Sequence, residues 1–537
     1  MRLLHPLPRP LSAPLSALAL LAWALHSGLL VERACRGTPL ALAADLARYG
    51  AKAQWKGVYY RGEKIGYVVG QTLPEPDGYE LREDGRLQMN LLGATTAARI
   101  ETIAHVDRHF VLHSFSFSLD PGTGPTVVSG ALAGTRLSLR VKTSSGERTE
   151  ERQLEEAPAL QLNLARRLAA EGLSAGQLRR LSVFDPATLK NAPMELKVLG
   201  REVVEAGGRP VPAFRVESRF AGILSTSWVT DVGEVVREES PTGLLVVRES
   251  PERATALAVP GSIQADMLAA AAIVPPPGHR IDDPRAVRRL AVRLAGLEGF
   301  SAGDLQGAGQ LTTGDRIEIV DARTLTPGPL DPERRRFLGP EPFLESDAPA
   351  IVEEAARAVA GATGNRARAE QLVRHVHALL EKKPTVSLPS ALEVLRTRVG
   401  DCNEHSVLYV ALARAAGLPA RIAVGLVHLT GAFYYHAWAE VYLEAGGQGL
   451  WLPVDPTLNE FPADATHLRL ARGGLERQTA ILGLMGHARM SDLEVDLAPE
   501  ATPILVGARP QAGRPPVIEL PRRAGRGRGC WSSPPRR

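Results

Sequence analysis

A thiol, an imidazole and a carboxylate follow one another late in this chain, each in a context that could present it to the others. Cys402 lies in Arg398-Val399-Gly400-Asp401-Cys402-Asn403-Glu404-His405, His436 in Tyr434-Tyr435-His436-Ala437-Trp438, and Asp455 in Pro453-Val454-Asp455-Pro456-Thr457. Together these groups are the parts of a nucleophilic acyl-transfer site. Sulfur attacks an amide carbonyl, imidazole moves the proton, and the carboxylate holds the ring. If they meet in space, the chain cuts or exchanges amide bonds through a thioester.

The elements that must position them can be read locally. Cys402 to Ala416 is rich in helix formers, and Gly417-Leu418-Pro419 reads as a stop. Gly400 and Asp401 break the preceding segment, so Cys402 falls in the first turn of a largely buried helix. There the free N–H groups and the helix dipole favour the thiolate, which predicts a lowered thiol pKa and a resting thiolate–imidazolium pair with His436. The same N–H groups could receive an oxyanion. Residues Ala420 to Leu429 read as a strand. The next, Tyr434 to Leu443, alternates so that His436, Trp438 and Glu440 share one face. Trp451 to Val454 makes a third strand, with Asp455 at its end. Trp438 is a candidate for walling the site from water, although an aromatic on a buried strand face is more often core.

Other chemistry is weaker. His405, three residues after Cys402 on the same helical face, is a rival base. It has little freedom to reach the sulfur and no evident carboxylate to orient it. A metal centre on Cys402 and His405 would need two further ligands. With Cys 3 in the whole chain, no second paired motif supplies them. His375 and His377, on a helical stretch, point to different faces and read as surface or packing residues. No metal or cofactor is expected.

The stretch from about Ser390 to Thr457 resembles the transglutaminase-like core, carried by GDCNEH, LARAAGLPAR, HAWAEVY and LPVDPT in order. The resemblance implies Cys402 as nucleophile, His436 as base and Asp455 as orienting acid. It also implies an α+β papain-like fold with the cysteine helix packed on an antiparallel sheet. The second oxyanion donor is not identified by any residue. Trp55–Tyr67 and Ser225–Glu249 look like the β-domain that precedes the core in some bacterial transglutaminase-like proteins.

That N-terminal region, about 54–270, reads as an antiparallel β-domain with a helical insert over Ala157–Leu181. Leu137, Leu139 and Val141 alternate with polar neighbours, as do Phe115, Phe117 and Leu119, and Met194, Leu196 and Val198. Asp231-Val232-Gly233 suggests a hairpin turn. Pro275–Gly278 marks a linker into a catalytic region spanning 280–500, with its core at 345–475. Strands are expected around Leu290–Leu294 and Ile317–Ile319, and helices at Ala348–Ala360 and Arg366–Lys382. Ser390 is the expected cap of a short helix before Cys402.

At 537 residues, 44% hydrophobic and 23% charged, the chain can build a sizeable core in two or three domains. Its net charge of +4 is uneven: residues 508–537 hold eight Arg and one Glu and read as a disordered basic tail. Nothing else suggests nucleic acid. Leu11 to Val31 carries no charged residue and is long enough to span a bilayer. Arg2 and Arg9 before it favour export of the bulk. Residues 1–43 are therefore expected to be a signal anchor, or a signal peptide cut near Ala41-Leu42-Ala43. The protein would stand on the extracytoplasmic, periplasmic side of the cell envelope, anchored in the inner membrane or secreted. Cys35 and Cys530 lie outside the globular regions, so no disulfide framework is expected. The expected function is a cysteine-dependent acyl transfer on a protein or peptide substrate. The alternative is a non-catalytic binding or assembly module on the same fold.

Overall fold

Alternation of apolar and polar residues becomes sheet through most of the N-terminal half. The strand Arg136–Thr143 buries Leu137, Leu139 and Val141 and exposes the residues between them. The computed structural model describes residues 49–497, apart from 51–52, 92–93, 221, 258–265, 298–299, 475–476 and 478–487. The apolar segment at 11–31 and the basic tail at 508–537 lie outside the described residues. Among those that are described, no helix is long and apolar enough to cross a membrane.

Fourteen strands form one antiparallel sheet between Gln54 and Arg248. The first, Gln54–Tyr60, sits in the interior of the sheet and pairs with Glu63–Glu75 on one side and Leu244–Arg248 on the other. Successive neighbours then run outward in both directions, ending at the edge strands Gly146–Gln153 and Leu178–Asp185. The helix Gln161–Glu171 lies between these two in sequence. It is shorter than the predicted insert, because Leu178–Leu181 already belongs to the second edge strand. Its Leu164 and Leu168 pack on Val183, Met194, Leu196, Val198, Val216 and Val229. The expected hairpin joins Ile223–Val229 to Val235–Glu239, with Gly233 at φ 77°, a left-handed value glycine adopts without strain.

After Arg248 the chain crosses to the second half, where Ile273 exchanges two backbone hydrogen bonds with Phe433. A four-stranded sheet follows in the order Gln310–Thr313, Arg316–Val320, Val287–Ala295, Arg489–Leu497. A five-stranded antiparallel sheet carries the rest: Gly328–Pro329, Gln448–Val454, Ala432–Ala445, Ala420–Leu429, Leu468–Arg472. The helix Cys402–Ala415 lies against it. Val407, Leu408, Val410, Ala411 and Leu412 share one core with Ile351 and Ala355 of the helix Pro349–Ala358, with Leu372, Val373 and Val376 of the helix Asn365–Leu379, and with Val424, Ala437 and Val441 of the strands. A helix apolar on every side needs such surroundings. It stops at Gly417 (φ 79°), whose N–H bonds back to the Arg414 carbonyl. Gly425 is required by close approach: a Cβ there would run into the Leu468 carbonyl of the neighbouring strand.

The two halves meet beside the cysteine helix. Leu388 is buried in the apolar cluster of the large sheet, with Phe343 and Val386 packed against it. The turn after Arg136–Thr143 sits over the helix Ala391–Thr397, where Glu393 Oε2 accepts hydrogen bonds from Ser144 Oγ (2.6 Å) and Ser145 Oγ (2.8 Å). Arg396 donates to the Thr123 carbonyl (3.1 Å).

Candidate active site

Cys402 opens its helix as the first residue after the N-cap Asp401. The carboxylate of Asp401 accepts from Asn403 N–H (2.9 Å), and Glu404 Oε2 accepts from Asp401 N–H (2.8 Å). This reciprocal cap fixes the turn that carries the sulfur. Glu404 is held in turn by the hydroxyls of Thr385 (3.0 Å) and Ser387. The backbone N–H of Ala437, the residue after His436, faces the sulfur and favours its thiolate. Cys402 is therefore seated on the histidine strand. It is a free thiol with part of its surface open to solvent.

The expected lowering of the thiol pKa does not occur. Burial pushes the Cys402 thiol well above its ordinary value, and the charge of Asp401 adds to that, against the favourable N–H of Ala437. The reason is one of magnitude. A helix terminus is worth on the order of 1 kcal/mol, whereas full burial of an ionisable group can shift it by about 3–5 units. Burial and Asp401 thus favour the thiol form of Cys402 over the predicted thiolate.

His436 and Asp455 are brought together, with His436 Nε2 2.6 Å from Asp455 Oδ2. That leaves Nδ1 as the ring nitrogen without a carboxylate. Asp455 is fully buried at the end of the strand Gln448–Val454, and its Oδ1 accepts from Thr457 N–H (2.6 Å) and Leu458 N–H (2.9 Å). Burial alone would raise the Asp455 carboxyl. The His436 and His467 imidazoles outweigh it and hold the carboxyl well below the usual carboxylate range.

Trp438 is buried beside the imidazole, its ring stacked at 6.2 Å from that of His436. Glu440, next on the same face, lies in a separate ionic cluster. Its carboxylate meets Arg421 (2.7 Å), Arg469 (2.5 Å) and Arg472 (3.0 Å) and is depressed against the cost of burial. His405 turns away from the role of base. Its Nδ1 donates to the Asp401 carbonyl (2.7 Å), and burial lowers its pKa and keeps the ring neutral. His375 pairs with Glu354 (2.6 Å), whereas His377 Nδ1 donates to the Pro456 and Thr457 carbonyls (3.3 and 3.2 Å), bracing the turn after Asp455.

Sequence reasoning missed His467. Its Nε2 lies 3.1 Å from the same Asp455 oxygen that takes His436, and its Nδ1 lies 3.2 Å from Asp464 Oδ1. The available signal was an Asp-x-x-His run, Asp464-Ala465-Thr466-His467, closing the loop that starts at Asp455.

Residues 353–456 match the model of the transglutaminase-like superfamily, a segment that holds Cys402, His436 and Asp455 and ends before His467. The match is confined to this segment, which is transglutaminase-like. Among solved structures it is similar to a candidate cysteine protease from Cytophaga hutchinsonii, with 19% identity, 40% of this chain and 86% of that one covered, and a TM-score of 0.25. It is also similar to the periplasmic domain of TgpA from Pseudomonas aeruginosa bound to ethylmercury, at 23% identity and a TM-score of 0.20, covering 27% of this chain and 56% of that one. This chain thus spans about half the length of that TgpA domain. No curated protein matches it.

Proposed function

We propose that this protein is a cysteine-dependent enzyme acting on amide bonds of a protein or peptide, with Cys402 as nucleophile, His436 as proton carrier and Asp455 as its orienting acid. The observation that carries this reading is the 2.6 Å bond from His436 to Asp455, on the strand whose next N–H, that of Ala437, faces the Cys402 sulfur. With Nε2 on the carboxylate, Nδ1 is the nitrogen left for the thiol. As the sulfur attacks the carbonyl carbon, its proton passes to Nδ1 and a tetrahedral oxyanion forms. Collapse breaks the C–N bond, and the same proton goes to the departing amine. The thioester then reacts with water, giving peptide or isopeptide hydrolysis or deamidation, or with a lysine amine, giving a cross-link. His436 takes the incoming proton in either case. The apolar stretch at 11–31 supports an exported or membrane-anchored site of action on the extracytoplasmic side.

One observation favours a second reading, a binding or assembly module on the same fold: burial holds the Cys402 thiol up. Thioester trapping with quenched peptide substrates separates the two. Mass spectrometry should find the acyl group on Cys402 in the native chain and none in Cys402→Ala, which stays folded and inactive. Full amidase or cross-linking activity in Cys402→Ala would exclude the mechanism.

A further inference from the structure

His467 bonds a carboxylate through each ring nitrogen, and that constrains its charge. An ionised carboxylate only accepts hydrogen bonds, and both Asp455 and Asp464 are held in the ionised form. Nε2 at 3.1 Å from Asp455 and Nδ1 at 3.2 Å from Asp464 must therefore both carry protons. His467 is 5% exposed, so this is a buried cation held against Asp455. Its ring lies 6.0 Å from that of His436, and the edge-on ring of Trp438 is 5.3 Å away.

We infer that His467 is a positioning residue for the thiol site: a clamped imidazolium that offsets the charge of the carboxylate supporting His436, so that Cys402 keeps its proton at rest. This rests on the reading of Cys402, His436 and Asp455 given above. A carboxylate shared by two imidazoles has less negative charge to offer either one. His436 then has a weaker hold on the thiol proton until a substrate carbonyl draws the sulfur forward. The surrounding charges fit a fixed cation. On the loop, Glu460 joins Asp464 in facing His467, and Arg285 caps Glu460 from outside at 3.1 Å. Arg323 acts on the same two acids from the turn after the strand Arg316–Val320, and His428, on the neighbouring strand and near Asp464, is kept neutral by burial. Burial alone would remove the His467 proton; the two aspartates reverse that and raise its pKa well above the ordinary value.

The test is the pH dependence of Cys402 alkylation by iodoacetamide in the full chain, read on the Cys402 peptide by mass spectrometry. Without the cation, Asp455 turns its whole charge on His436, and the thiolate–imidazolium pair becomes populated. His467→Gln should move the alkylation inflection to lower pH by about one unit or more, with roughly tenfold faster labelling at neutral pH. Asp464→Asn, which removes one of the two clamps, should move it in the same direction by less, and it decides the matter if His467→Gln fails to fold. A residue that only packs would slow labelling or leave the profile alone. An inflection that stays put or moves upward in the folded variants overturns the inference. Alkylation needs no substrate, so activity surviving in Cys402→Ala would defeat the enzyme reading without touching this result.

Discussion

Asp455 divides its two oxygens between unlike tasks: Oδ1 holds the turn through Thr457 and Leu458, and Oδ2 holds the imidazoles of His436 and His467. An asparagine can satisfy only one of these. If its oxygen stays on the backbone amides, its NH2 faces His436 Nε2, which must then accept and carry its proton on Nδ1, against the thiol. Asp455→Asn should therefore lower kcat by about 10⁴-fold, with KM little changed and the fold kept. A loss of less than tenfold in steady-state kinetics would mean that the carboxylate does not set the tautomer. The three residues were readable because local signals mark their positions: a Gly-Asp cap before Cys402, alternation around His436, a proline after Asp455. His467 carried only the Asp-x-x-His spacing. It reaches Asp455 because the loop folds back, with backbone bonds in both directions between Asp455 and Glu460 (3.0 and 2.8 Å).

At the scale of elements, the histidine strand does two jobs on one face. His436 and Trp438 line the candidate site, and one step further Glu440 ties three strands together through Arg421, Arg469 and Arg472. Removing the one anion from a buried cluster leaves its cations uncompensated, so Glu440→Gln should cost about 3 kcal/mol in urea unfolding. The sign with pH follows from the depressed carboxyl. Its contribution is fully present above the ordinary glutamate range and is lost on acidification below it, so native stability should fall there more steeply than that of the variant. Equal stability of the two proteins at neutral pH would show that the cluster is decorative. The strand Ala420–Leu429 and the Trp451–Val454 end of Gln448–Val454 were legible as short apolar runs flanked by Gly or Pro. Leu468–Arg472 was not, because Arg469 is buried against Glu440 and a buried arginine reads as surface in a one-dimensional pattern.

For the molecule as a whole, the large sheet was foreseeable strand by strand and its continuity was not. Which two strands flank Gln54–Tyr60 depends on a pairing with Leu244–Arg248 that no local signal announces. The contact between halves was equally hidden, since Ser144, Ser145 and Glu393 are ordinary surface types until they meet. Glu393→Ala should weaken this contact by about 1 kcal/mol. Amide exchange in the Thr143–Gly146 turn should quicken, while that of the strand Ala432–Ala445 should not change. Unchanged exchange in the turn would show that the contact carries no load.

The burial of Leu388 within the apolar cluster of the large sheet has a practical corollary. A version trimmed to the C-terminal half would leave an oily scar three residues before the helix Ala391–Thr397, a short way from Cys402, inviting aggregation beside the candidate site. The sheet is part of the foundation of the candidate site, and the protein should be purified whole.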